Sequence, residues 1–261
     1  MKTDWFAELW RGKELLYFLA WREVKVRYKQ AALGALWAII QPLFTMLVFT
    51  LFFGRLAGVP SDGIPYPIFC YCALVPWMYF SGVLNMAGNG LVNNSNLITK
   101  VYFPRVFVPA SSALAGLLDF LIGSSVMVIL LAYYRVKPTW SILLAPVFLI
   151  GIIMVTLGVS MFFAALNVRF RDVKHTLPFL IQIWLFCTPI IYPVTVVPAR
   201  FRPLLSLNPC WGIIEGFRSC LFPGRHMEVL PNVLSMLAAV AVFVVGGLYF
   251  RKTERTFADI I

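Results

Sequence analysis

The sequence predicts an all-α integral membrane protein. It reads as six transmembrane helices, an N-terminal amphipathic helix at the membrane interface, and re-entrant outer-side helices before the last span. Three observations predict this. Of 261 residues, 61% are hydrophobic and 13% charged, whereas a soluble domain is about 45–50% apolar and about 25% charged. The few charges are clustered, leaving long stretches with almost none. The basic residues fall mostly on alternate connections, as topology-setting charge does.

A crossing helix needs about 20 apolar residues. The segment before the first such stretch, 12–30, is helix-like. Tyr17, Trp21, Val24 and Tyr28 form one stripe, and Leu15, Leu19 and Val26 another, with Arg22, Lys25 and Lys29 between them. A helix apolar on two sides with a basic edge suits the interfacial plane. A cytoplasmic extension of the first span is the alternative. The first 29 residues carry seven basic residues and no uninterrupted apolar run, unlike a cleavable signal peptide.

The first charge-free stretch is 30–54. The second, 63–99, is too long for one straight span, so part of it lies outside the hydrocarbon. The third, 106–134, is broken only by Asp119. The fourth is 138–168, the fifth 176–199 and the sixth 229–250. Pro189, Pro193 and Pro198 shorten the helical part of the fifth. The prolines and charges of 193–224, including Arg200, Arg202, Glu215 and Arg218, rule out a plain crossing there and suggest short helices turning back under cover of protein. With both termini cytoplasmic, fifteen basic residues lie inside and seven outside, which is the sense the positive-inside bias requires. No internal repeat is visible, and residues 1–261 read as one membrane domain.

Catalytic motifs are missing. There is no phosphate-binding Gly-rich loop, no dinucleotide fingerprint, no nucleophile elbow and no zinc-binding His-Glu-x-x-His. No catalytic residue, metal ligand or cofactor is assigned to this chain. The five cysteines and two histidines are not spaced as ligands, and the cysteines read as apolar packing residues. The excess of Lys and Arg reads as membrane-surface charge, not as a nucleic-acid footprint.

Asp119 is the lone intramembrane acid. A carboxylate at mid-membrane costs roughly 2.5–3.5 kcal/mol on insertion scales, so it is usually turned inward and paired. The favoured role is a hydrogen-bonded anchor to Ser124, Asn85 or a neighbouring subunit. The other is a polar point on a transport path, which the lack of a second acid or a histidine beside it weakens. The abundant rings (23 Phe, 10 Tyr, 8 Trp) divide between an interfacial belt, ordinary packing and a surface on which sugar rings could stack.

Two inner loops are informative. The first is Asn93-Asn94-Ser95-Asn96-Leu97-Ile98-Thr99-Lys100-Val101-Tyr102-Phe103-Pro104-Arg105, and the second is Leu166-Asn167-Val168-Arg169-Phe170-Arg171-Asp172-Val173. With Trp21-Arg22-Glu23-Val24-Lys25-Val26-Arg27-Tyr28, Leu33-Gly34-Ala35-Leu36-Trp37 through Gln41-Pro42-Leu43, and the C-terminal 250–257, they resemble the permease subunits of ABC-type polysaccharide exporters for O-antigen, capsule and teichoic acid. The resemblance covers essentially the whole chain.

That resemblance implies a homodimer docking two separate ABC ATPase subunits, with Mg-ATP bound by the partner and no cofactor here. It implies a polyprenyl-lipid-linked polysaccharide as cargo, moved across a bacterial inner membrane among membrane lipids. Residues 93–105 would be the coupling helix. Asn96, Lys100, Pro104 and Arg105 would lie at the contact, and Leu97, Ile98, Tyr102 and Phe103 would be its apolar anchors. Arg169, Arg171 and Asp172 would form a second contact or a surface ion pair. Trp37, Phe44, Phe52, Trp77, Tyr79, Trp184 and Tyr192 are the channel-lining candidates, and 193–224 the outer gate. An ABC exporter of a drug or small lipid is the alternative. An ion-coupled secondary transporter would want paired carboxylates or an inverted repeat, and an enzyme acting on lipid-linked sugars would want several placed acids or bases. The sequence shows none of these.

Overall fold

Breaks in apolar periodicity and prolines set the helix boundaries. The computed structural model describes residues 10, 12–29, 34–101, 103–137, 139–222 and 229–257. α1 is Lys13–Lys29. α2 is Trp37–Phe49, entered by the 3-10 turn Gly34–Leu36 and extended by π turns over Thr50–Leu56. α3, Tyr66–Asn93, starts after Pro65, which caps without a side-chain hydrogen bond. α4 is Ser95–Lys100, α5 Phe107–Tyr133, α6 Ala145–Arg169 and α7 Val173–Cys187. Then come the single turn α8, Arg202–Leu205, and α9, Pro209–Leu221. α10, Val229–Thr253, closes with the 3-10 turn Glu254–Thr256.

The fold is an all-α membrane bundle, and no strand occurs among the described residues. Five of the expected spans are full-length apolar helices. The long second stretch divides as its length requires: α3 ends at Asn93, and α4 follows as a separate turn. The expected fifth span differs. α7 has only 15 residues, about 22 Å at 1.5 Å per residue against a hydrocarbon core of about 30 Å. It stops at Thr188-Pro189 because proline cannot supply the next helical N–H.

α3 is the central helix, enclosed on nearly every side. α6 packs on both α3 and α10, and α1 packs along α5. The other long helices keep broad apolar faces exposed, as lipid-facing helices do. Cys70, Cys72, Cys210 and Cys220 are buried thiols in this core.

The two ends of the bundle differ. At one end a second cluster joins Leu19 of α1, Ile98 of α4, Phe103, Phe107, Val168, and Phe250 and Phe257 of the C-terminal turn. Both described ends of the chain, α4 and the α6–α7 connection therefore share one end. At the other end α9 inserts among the first turns of α3, α6 and α10. Its start is set by Pro209 and by Asn208, whose Oδ1 accepts the Cys210 N–H at 3.1 Å and the Trp184 indole N–H at 2.9 Å.

α9 carries a fully buried arginine. Arg218 is 0% exposed and ion-pairs with Glu215 at 2.8 Å. It donates to the carbonyls of Pro189 and Ile190 at 3.1 and 3.2 Å, and lies 3.9 Å from the centre of the Phe69 ring. It ties the break after α7 to α9. The charge count placed Arg218 in an outer loop. The structure instead makes it an internal cross-link, because two carbonyls without helical partners supply the acceptors a buried guanidinium needs.

Candidate functional site

Several polar side chains of α5 converge on α1. Its buried residues are Leu19, from one of the two apolar stripes, and Ala20, and the half-buried Leu16, Glu23 and Arg27 continue that side of the helix at spacings of three or four residues. Glu23 Oε1 accepts from the hydroxyls of Ser111 and Ser112 on α5, both at 3.1 Å. Burial pushes the Glu23 carboxyl above its ordinary range, and the two serine hydroxyls oppose that shift. Arg22 donates to Asn94 Oδ1 at 2.6 Å. Two turns above the Glu23 contact, Arg27 ion-pairs with Asp119, and the Tyr28 hydroxyl donates to the same carboxylate.

Asp119 is half-buried, and within the chain its partners are Arg27 and Tyr28; neither Ser124 nor Asn85 is paired with it. Asn85 lines the same hollow, Ser124 Oγ is buried with no hydrogen-bond partner among the described residues, and the counter-charge comes from α1, some ninety positions earlier in sequence. The physical reason is charge: an isolated carboxylate gains more from a guanidinium than from a hydroxyl or an amide. The spacing of Glu23 and Arg27 four apart was the available signal.

Above this pair is a hollow of about 480 Å³ between α1, α2, α3 and α5. Arg27, Asp119, Gln41, Asn85, Trp37 and Tyr79 are among its lining. Two smaller apolar hollows meet at Trp184.

The channel-lining candidates separate into two groups. Trp37, Phe44 and Phe52 are exposed along one stripe of α2. Trp184 and Tyr192 are half-buried, with the Tyr192 hydroxyl donating to the Phe186 carbonyl at 2.9 Å. Trp77 and Tyr79 are corrected. Both are buried in the bundle, Trp77 against Phe80 and Tyr79 edge-on to Phe120. α3 is central, so its rings fill the core, and only Tyr79 also reaches the hollow.

The loop candidates divide likewise. Asn96, Lys100, Arg169, Arg171 and Asp172 are exposed, and Leu97, Pro104 and Arg105 are half-buried. Tyr102 lies outside the described residues. Ile98 and Phe103, expected as outward anchors, are only 4% and 5% exposed. They are spent on the chain's own terminal cluster with Leu19 and Phe257, because a short loop buries its apolar side chains against the nearest apolar surface. Arg105 is also engaged: its backbone N–H donates to Glu254 Oε1 at 2.9 Å and its guanidinium to the Glu254 carbonyl at 2.5 Å. The loop's outer face is therefore Asn96, Thr99, Lys100 and Val101. Beside the second loop, Arg169 lies over the exposed Phe170 ring at 5.4 Å.

Among the described residues no group of His, Cys, Asp and Glu side chains is placed to hold a metal ion.

Comparison with known proteins agrees with this architecture. Residues 14–222 match the family described as ABC-2 type transporter. An O-antigen export system permease protein of Myxococcus xanthus is 34% identical over 97% of this chain and 98% of its own length. One from Klebsiella pneumoniae is 30% identical, covering 95% of each chain. A polysialic acid transport protein of Escherichia coli is 26% identical over 89% of this chain and 91% of its own. The chain is a multi-pass membrane protein that belongs to the ABC-2 type transporter family.

Proposed function

We propose that this chain is the membrane subunit of an ATP-driven exporter for a lipid-linked polysaccharide. The observation that carries the reading is that relatives named as export permeases for O-antigen match it from end to end, covering 95% or more of both chains. The chain itself contributes a path and no engine. ATP is hydrolysed on a separate ABC ATPase holding Mg-ATP. The cargo is a polymer of the O-antigen or capsule type on a polyprenyl carrier, crossing a bacterial inner membrane with both termini of this chain cytoplasmic. Two copies pair and dock two ATPases.

Several features support this. The exposed aromatic stripe Trp37, Phe44 and Phe52 of α2 and its π-turn extension, and the exposed Phe179, Ile183 and Phe186 of α7 are faces that a second copy could enclose. The terminal cluster is the natural transmitter. α4, the last turns of α6, α1 and the residues flanking the C-terminal turn share one apolar knot, so a push on α4 is felt by α1 and through it by the Arg27–Asp119 pair. α9 and the turns after α7 form the outer gate.

The contact surface is the exposed face of α4, not the buried Ile98 and Phe103. The double variant Lys100→Glu, Val101→Asp changes two exposed side chains. It is expected to keep normal membrane abundance and to lose co-purification of the cognate ATPase. Co-purification at the unaltered level would contradict the coupling assignment.

A further inference from the structure

The hollow beside the Arg27–Asp119 pair is a site in its own right. It lies within one copy of the chain, bounded by α1, α2, α3 and α5, with a volume of about 480 Å³. Small-molecule sites usually fall between about 300 and 1,000 Å³.

Its chemistry narrows the ligand. The two charged groups in its wall, Arg27 and Asp119, are already paired with each other. A phosphate or other anion would have to displace Asp119 from Arg27 and leave a second negative charge beside it, which an environment of low dielectric penalises heavily. A cation meets the same obstacle from Arg27. The wall therefore selects against net charge.

It offers neutral polar groups instead. Gln41 is exposed, and its carboxamide makes no hydrogen bond with any described residue. Asn85 uses its amide N–H to reach the Ser81 carbonyl at 3.0 Å, which leaves its Oδ1 as an acceptor. Trp37, 51% exposed, supplies a ring at the same wall. The Gln41 carboxamide and the Asn85 Oδ1 beside an exposed indole, with charge cancelled, make the combination that binds a polyhydroxylated ring: hydroxyls pair with the amide groups while an apolar C–H face lies on the indole.

We infer that this hollow binds a neutral sugar unit, one or two pyranose rings, inside each copy of the chain. This deepens the export reading and takes its biological meaning from it, but the binding is measurable without transport. The sugar could arrive on a free polymer or on a lipid headgroup.

The test uses the full chain in nanodiscs. Saturation-transfer NMR reads binding of maltotriose, with glucosyl diacylglycerol in the bilayer and inorganic pyrophosphate in solution as competitors. Maltotriose is expected to receive magnetisation at its ring protons. Gln41→Leu and Trp37→Leu each weaken binding on the order of tenfold, the scale of one lost hydrogen bond or ring contact. Trp140→Phe, at an exposed residue that is not part of the hollow's wall, leaves binding unchanged. Displacement by the glycolipid assigns the lipid-borne source, and lack of displacement assigns the free polymer. Both support the site. Displacement by pyrophosphate at equal concentration, no transfer to maltotriose, or equal binding by Gln41→Leu and the unaltered chain overturns it. Those results would leave the export reading standing, because that reading fails only if ATP-driven transport is absent.

Discussion

Gly158→Leu is expected to abolish accumulation of the folded chain in the membrane, and Gly158→Ala to lower its thermal stability in detergent by about 1–3 kcal/mol, the usual penalty for overpacking a close contact. The reason is the crossing of α6 and α10. A Cβ on Gly158 would lie 2.6 Å from the Val242 carbonyl oxygen and 2.7 Å from the backbone of Phe243, and one on Gly246 would meet the Gly158 backbone. No flexible side chain can move aside there, because the neighbours are main chain. In lipid there is no hydrophobic drive between helices, and close backbone approach at small residues supplies the attraction. α6 and α10 make the most extensive helix pair in the bundle, so separating them by even an ångström removes dispersion contacts along their length. Gly247→Ala is the matched control, since its Cβ would meet only the Met161 methyl at 3.7 Å, and it retains normal abundance. Fluorescence-detected size exclusion of a tagged chain reads all three variants. Wild-type abundance of Gly158→Leu would show that the crossing is not as tight as described.

Arg218→Met is expected to destabilise the end of the bundle that α9 closes by about 3–5 kcal/mol, the range for removing one partner of a buried ion pair. The substitution keeps the volume and deletes the donors serving Glu215 and the Pro189 and Ile190 carbonyls. Arg218→Lys keeps the charge, but one ammonium cannot span the carboxylate and both carbonyls as the guanidinium does, so it falls between. The measurement is protease protection of the 188–208 segment in membranes. Arg218→Met opens the segment to cleavage while the terminal cluster at the other end stays intact. Unchanged protection would mean that Arg218 does not hold the break after α7.

Much of the architecture was legible because lipid imposes one dominant rule. The charge gaps around Lys100, Arg135 and Arg169 mark real helix ends, and the surplus length of 63–99 foretold the separate turn α4. The end of α7 was visible in Pro189, though not that only 15 residues would precede it. What stayed hidden depends on partners distant in sequence. Arg27 and Asp119 are 92 positions apart, so Asp119 could be recognised as paired but not with what. Ile98 and Phe103 show the converse. A short apolar run in a loop can face a partner or its own core, and only the positions of Leu19 and Phe257 decide. Gly158 and Gly246 carry no local signal at all, since a glycine in an apolar helix reads the same whether it faces lipid or backbone. Of the hollow, Trp37 and Tyr79 stand out in the sequence by their rings and Asn85 as an amide within reach of Asp119, while Gln41 carries no signal beyond its place before Pro42.

In the proposed function this chain conducts and a separate ATPase drives. The direct measurement is uptake of a fluorescent lipid-linked glycan into proteoliposomes, or its flipping across them, with the chain alone and with its ATPase. The account predicts net transport only when ATPase, magnesium and hydrolysable ATP are all present, and none with a non-hydrolysable analogue. Accumulation against a gradient by the chain alone, without nucleotide, would contradict it.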